Sequence, residues 1–257
     1  MATPLTTDES STVGPYELLG PLDRSGLFLG RSPDGERVAV TMVPADVATD
    51  PGFRADVAAA REVNGAFIAP ILDADLDAPV PWLATAYIDA PSLADTVRDG
   101  GPLHASAVLF LATWLTEGLQ SLHAAGVVHR NLNPSNVLLT GDGPRLVEFG
   151  ISPAAKASAQ PDEDFDEFSS PEQALGHDIG LASDIFSQGA VLVYAASGHG
   201  PFGSGTSAGL MYRLVNSPPD LGELPEELRR PVQACLAKQA SSRPTASRLL
   251  ALSLIHI

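Results

Sequence analysis

A chain of 257 residues with 44% hydrophobic content is long enough to bury a substantial core, as one large domain or two closely packed lobes. Its net charge of −16 argues against nucleic-acid binding and against docking on anionic membranes. The single cysteine, Cys235, excludes an intrachain disulfide; it suits a reducing cytoplasm and reads as a buried, inert thiol.

Residues 1–15 read as a disordered lead, polar and Thr/Ser-rich to Ser11, without the basic start and apolar run of a secretory signal. Strand-like runs follow at Tyr16 to Gly20, Leu27 to Arg31 and Glu36 to Val43, the last two separated by the turn Ser32-Pro33-Asp34-Gly35. Asp50-Pro51 opens a helix, with Asp at the cap and Pro at the first helical position, and the helix runs to about Val63. Two more runs, Ala69 to Asp73 and Pro81 to Ile88, complete a small β-rich lobe over about residues 16–88. The region from about 89 to 250 is mostly helical, with helices predicted at Leu103 to Ala125, Ala182 to Ala196, Ala208 to Val215, Pro225 to Ala237 and from Thr245.

The longest apolar run, around Ala105 to Leu115, is shorter than the roughly 20 residues a spanning helix needs, so no membrane segment is expected. The tail 251–257 is apolar and atypical of a domain end. It resembles translated sequencing-adapter read-through, so the natural chain is expected to differ past residue 250. No internal repeat is present.

One stretch carries the chemistry: His129-Arg130-Asn131-Leu132-Asn133-Pro134-Ser135-Asn136, followed by Glu148-Phe149-Gly150. Linked motifs flank it in order. Ala124-Ala125-Gly126-Val127-Val128 leads into it and Val137-Leu138-Leu139 leaves it. Ser170-Pro171-Glu172-Gln173, Asp184 to Gly189 and Arg243-Pro244-Thr245 follow. From Tyr16 to about Leu250 the chain resembles the eukaryotic-type (Hanks-type) serine/threonine protein kinases of actinobacteria. That resemblance implies an α+β, bilobal protein kinase-like fold: a small antiparallel β lobe with one helix, then a larger helical lobe. It implies no activity, because function rests on the site itself.

Position by position, the resemblance implies an edited site. Active relatives carry H-R-D-x-K-P-x-N and D-F-G, in which the first Asp takes the substrate proton while the Asn and the second Asp hold magnesium. Here the base position is Asn131, whose amide accepts no proton at neutral pH. The Lys position is Asn133, which carries no charge for the transferring phosphoryl group. Asn136 matches the magnesium asparagine. Glu148 keeps a carboxylate one methylene longer than Asp, an awkward reach for an ion that demands near-octahedral oxygens.

The loop Leu19 to Phe28 retains Gly20 and Gly26 but lacks G-x-G-x-x-G and carries Asp23. It reads as a tight hairpin, with Arg24 its one candidate phosphate cation. Thr41 stands where V-A-x-K would place the phosphate-gripping lysine, and the chain's only lysines are Lys156 and Lys238. Asp56 takes the helix-glutamate position and, with no lysine to pair, reads as a solvated carboxylate. Thr85 falls at the residue guarding the adenine pocket, with Ala86 to Ile88, including Tyr87, as the hinge. His129 reads as a core histidine. Arg130 would clasp a phosphothreonine in active relatives, yet 150–170 holds no threonine; the run Asp162 to Glu167 either replaces that phosphate or is a solvated acidic loop.

The expected function is that of a pseudokinase, a cytoplasmic regulatory or protein-binding module whose partner is an active kinase or another signalling protein. ATP and Mg2+ are expected to bind weakly or not at all. The alternatives are a divergent active Ser/Thr kinase and a nucleotide-binding switch without turnover.

Overall fold

The computed structural model describes residues 12–22, 26–63, 65–149 and 165–253. By their contacts the residues form two compact units: Met1–Ala55 with Ala69–Ile88, and Asp56–Ile68 with Asp89–Ile257. Of the expected disordered lead 1–15, residues 1–11 lie outside the described residues, as do the loop residues Asp23 and Arg24, Gly150, the acidic residues Asp162 to Asp164 and the end of the tail. The last residues of the lead are ordered instead, with Thr12–Val13 in a strand paired to Tyr16–Glu17.

The first unit is built on a six-stranded antiparallel sheet in the order β1-β2-β3-β4-β6-β5. Its strands are β1 (Thr12–Val13), β2 (Tyr16–Pro21), β3 (Leu27–Arg31), β4 (Arg37–Met42), β5 (Ile71–Asp75) and β6 (Trp82–Ala86). Alternation sets the buried face. Val38 and Val40 on β4 pack with Trp82 and Ala84 on β6, and with Val13 and Tyr16. Tyr16 meets the Trp82 ring edge-on, with centroids 5.3 Å apart. Gly30 is required in this layer, because a Cβ there would lie 2.8 Å from the Val40 side chain. The predicted strands are present with ends shifted by one or two residues; the two-residue β1 has no periodicity to announce it.

Two helices follow β4: α1 (Ala45–Ala48), too short for the sequence pattern to reveal, and α2 (Pro51–Arg61). The Asp50 carboxylate accepts the Phe53 N–H at 2.6 Å, so the predicted cap operates. Phe53, Val57 and Ala60 repeat at helical spacing and are all buried.

The second unit holds α3 (Leu93–Gly100), α4 (Ala105–Ala124), the hairpin β7 (Val137–Thr140) and β8 (Gly143–Leu146), α5 (Pro171–Ala174), α6 (Leu181–Ser197), α7 (Ser207–Asn216), α8 (Glu226–Cys235) and α9 (Ala246–Ser253). Helix α6 is buried at every position from Ser183 through Val193, as befits a helix enclosed by others. It packs against α4 and α8, and Gly189 lets α8 approach so closely that a Cβ there would sit 3.0 Å from the Cys235 Cβ. Burial pushes the Cys235 thiol up to about 12, which makes it the inert core residue expected. Among the described residues no helix is long and apolar enough to cross a membrane.

Helix α5 is fastened by one buried ion pair. The Arg243 guanidinium, with no side-chain exposure, donates to both Glu172 oxygens at 2.6 and 2.8 Å. Its remaining N–H groups reach the Ala182, Ala237 and Lys238 carbonyls. Burial alone would raise the Glu172 pKa, but hydrogen bonds from Arg243 and Ser183 and the charge of Arg243 outweigh it and hold the group at about 2. A folded pKa below the unfolded value contributes stability that is full above the ordinary carboxylate range and is lost as pH falls toward 2. Glu172→Gln, which leaves Arg243 buried without its counter-charge, is expected to cost about 3–5 kcal/mol at neutral pH. The same variant should flatten the fall in melting temperature between pH 4.5 and 2; an unchanged acid limb would remove Glu172 as its source.

Candidate functional site

The site in the second unit is organised around one buried carboxylate. Asp184, in the first turn of α6, is 1% exposed. One of its oxygens accepts the His129 N–H at 2.8 Å and lies 2.8 Å from His123 Nε2; the other accepts the Arg130 N–H at 2.9 Å. A carboxylate at a helix N-terminus is favoured by the helix dipole, and here it also satisfies two backbone donors that burial would otherwise orphan. The chain leaving α4 is thereby held in a fixed turn.

Arg130 sits in that turn with φ 65°, a left-handed conformation uncommon for a residue with a Cβ. Its carbonyl accepts from Gln173 Nε2 at 2.8 Å, and its guanidinium donates to the Asp56 carboxylate at 2.6 Å. Asp56 is therefore an ion-pair member, not the solvated helix carboxylate that the sequence suggested. The reason is positional: the second half of α2 belongs to the same compact unit as Arg130, and their side chains are only 23% and 18% exposed. The acidic run proposed as the partner of Arg130 lies mostly outside the described residues. Of its described members, Asp166 accepts from the Phe168 N–H and Ser169 hydroxyl, and Glu167 lies against Gly200.

The three asparagines form one local network. Asn131 Oδ1 accepts from Asn133 Nδ2 at 3.0 Å, and the Asn131 carbonyl accepts from Asn136 Nδ2 at 2.8 Å. Asn133 Oδ1 accepts the Ser135 and Asn136 N–H groups at 2.9 and 3.3 Å, which caps the 3-10 turn Pro134–Asn136. Asn136 is 6% exposed, and its carbonyl accepts the Val147 N–H at 3.1 Å, tying this turn to the segment that bears Glu148. Glu148 has φ 58°, a conformation Asp or Asn adopts more readily than Glu. Among the described residues no group of three or more His, Cys, Asp or Glu side chains is placed to hold a metal.

His129 is fully buried against Phe149, with ring centroids 6.3 Å apart, and neither ring nitrogen has a hydrogen-bond partner among the described residues. Burial lowers its pKa to about 4 despite the nearby Asp184 charge. It is a core histidine, as its sequence position suggested.

The remaining predicted residues lie in the first unit. Gly20 is on β2 beyond an irregularity in the ladder to β3, and Gly26, at φ 94°, gives its carbonyl to the Met42 N–H. Leu22 N–H bonds the Leu27 carbonyl at 2.9 Å, closing the predicted hairpin. Thr41 on β4 stands between Leu27 and Leu83, and Thr85 on β6 between Ala39 and Ile71. Tyr87 lies beneath the Arg37 guanidinium, 4.9 Å from its ring centroid. Sequence reasoning missed Gln173 as a contact of Arg130 and Asp56 as its partner; no periodicity marks either, since both contacts join residues more than 40 positions apart.

The model of the protein kinase domain matches residues 26–255. The chain belongs to the protein kinase family. This kinase domain is 41% identical to the serine/threonine-protein kinase AfsK of Streptomyces coelicolor, over 100% of the chain and 34% of that protein. It is 40% identical to the probable serine/threonine-protein kinase PkwA of Thermomonospora curvata, over 98% of the chain and 35% of that protein. The serine/threonine-protein kinase PknA of Mycobacterium tuberculosis matches at 31% identity, over 81% of the chain and 52% of that protein. The kinase domain thus spans about a third of the length of the first two relatives.

The environment of His129 makes a direct prediction. A neutral buried imidazole must gain a proton on unfolding in mild acid, so it lowers stability as pH falls from 6.5 toward 4. His129→Leu removes two unpartnered ring nitrogens as well as the titration. Its melting temperature should fall less than that of the wild type between those pH values. Parallel curves for the two proteins would exclude this role for His129.

Proposed function

We propose that this kinase domain is a pseudokinase, a regulatory or protein-binding module that does not transfer phosphate at a useful rate. The observation that carries the reading is the asparagine network. The amides at the base and lysine positions, Asn131 and Asn133, bond to each other, and Asn133 caps the 3-10 turn. In this arrangement they serve as structural hydrogen-bonding groups. An amide supplies neither a general base, which typically contributes about 10²–10⁴ in rate, nor charge for a phosphoryl group.

Two further features support it. Position 41 is threonine, and neither lysine of the chain is a neighbour of it in sequence, so the residues present do not suit the grip on nucleotide phosphates that the family uses. Magnesium would have to rely on Asn136 Oδ1 and on Glu148, whose carboxylate reaches one methylene further than the Asp of the family motif. ATP and Mg2+ binding is therefore weak or absent in this reading. The partner would be a cytoplasmic protein, an active kinase or another signalling protein, met on the surface that the retained scaffold presents.

A second reading, a divergent active serine/threonine kinase, draws on its similarity to the serine/threonine-protein kinases AfsK and PkwA and on the Glu148 carboxylate. Thermal unfolding with ATP, with and without magnesium, separates the two. A ligand at 100 times its Kd raises stability by about 2.7 kcal/mol, a shift of several degrees for a domain of this size. The pseudokinase reading expects no magnesium-dependent shift at millimolar ATP. A magnesium-dependent rise of several degrees would favour the enzyme, and a rise independent of magnesium a nucleotide switch.

A further inference from the structure

We infer that the Asp56–Arg130 ion pair is a built-in conformational lock, fixing the second half of α2 and the turn at Arg130 without a phosphate on the activation segment and without nucleotide. In active members of the family the corresponding arginine waits for a phosphate, and the helix acid pairs with a strand lysine. Here one intramolecular contact engages both groups.

The geometry supports a lock more than an incidental surface pair. Arg130 is fixed on three sides: its N–H by Asp184 of α6 at 2.9 Å, its carbonyl by Gln173 of α5 at 2.8 Å, and its guanidinium by Asp56 of α2 at 2.6 Å. With side chains only 18% and 23% exposed, Arg130 and Asp56 are screened less by solvent and salt than an exposed ion pair, and such screening is what makes surface pairs weak. Gln173 is itself held, because its Oε1 accepts the Ser170 N–H in a capping box while its Nε2 reaches Arg130. Helices α2, α5 and α6 therefore converge on one residue. Asp56 follows three residues after the buried Phe53 and lies one position before the buried Val57, so its place on the helix surface is set by packing.

The test is hydrogen exchange on four forms of the chain: wild type, Asp56→Arg, Arg130→Asp, and the charge-swapped double variant Asp56→Arg/Arg130→Asp. Each is measured without ligand and with ATP and magnesium. The lock predicts that amides of 56–63 and 129–136 exchange about tenfold faster in each single variant. It also predicts that the double variant recovers a large part of that protection, and that ATP with magnesium changes none of the wild-type rates. Aspartate tolerates the left-handed turn better than arginine, but Arg130→Asp carries that contribution both alone and in the double variant, so the cycle cancels it. Protection unchanged in the single variants, or no recovery in the double variant beyond the sum of the single effects, would overturn the lock. Those outcomes leave the pseudokinase reading untouched, which stands or falls on turnover; conversely, detectable turnover with intact coupling would refute that reading and leave the lock in place.

Discussion

Much of the second unit depends on the bond between the Asp184 carboxylate and the two backbone N–H groups of His129 and Arg130. A buried carboxylate is costly unless its lone pairs are filled, and buried amides are costly unless they find acceptors. Asp184 solves both problems at once and fixes where the chain must run after α4. The rest follows from that placement. Arg130 is turned into a left-handed conformation, its side chain meets Asp56, its carbonyl meets Gln173, and the asparagine-rich turn begins one residue later. The Glu172–Arg243 pair plays the corresponding part for α5, tying it to the segment before α9 through a guanidinium whose five N–H groups all find oxygens.

These anchors hold together the scaffold of the kinase domain. On the proposed reading, the positions that would carry charge in phosphoryl transfer are filled by Thr41, Asn131 and Asn133. Replacing charged groups by amides at a buried turn has a structural benefit. Amides donate and accept, so Asn131, Asn133 and Asn136 satisfy one another and the 3-10 turn with no ion to desolvate. On the proposed reading, the turn has exchanged electrostatic function for local rigidity, and the surface around it serves recognition.

The sequence was most legible where local chemistry is strong. Alternation in β4, the Asp50-Pro51 start of α2 and the long apolar periodicity of α4 and α6 gave elements whose ends shift by only a residue or two. It was silent where elements are short or polar. Helix α1, helix α5, strand β1 and the β7–β8 hairpin carry too few residues for a period, and α3 buries only Leu93 and Val97 beneath an otherwise polar face. The identities of the site residues were readable because the motif fixes their order. Their bonding was not, and Asp56 is the clearest instance. Pairing between residues far apart in the chain is decided by packing, which no local pattern encodes. His129 was legible as a core residue, whereas its two unpartnered nitrogens and depressed pKa became visible only with its surroundings.

The most direct measurement is a single-turnover phosphotransfer assay: the purified chain in excess over labelled ATP and magnesium, with a generic protein acceptor, followed to hours. The account predicts no label transferred to the acceptor or to the chain above a no-protein control. It also predicts that the combined variant Thr41→Lys, Asn131→Asp, Asn133→Lys and Glu148→Asp acquires measurable transfer. Label transferred by the wild-type chain, and lost when Asn136 or Glu148 is replaced by alanine, would contradict it and identify a working kinase.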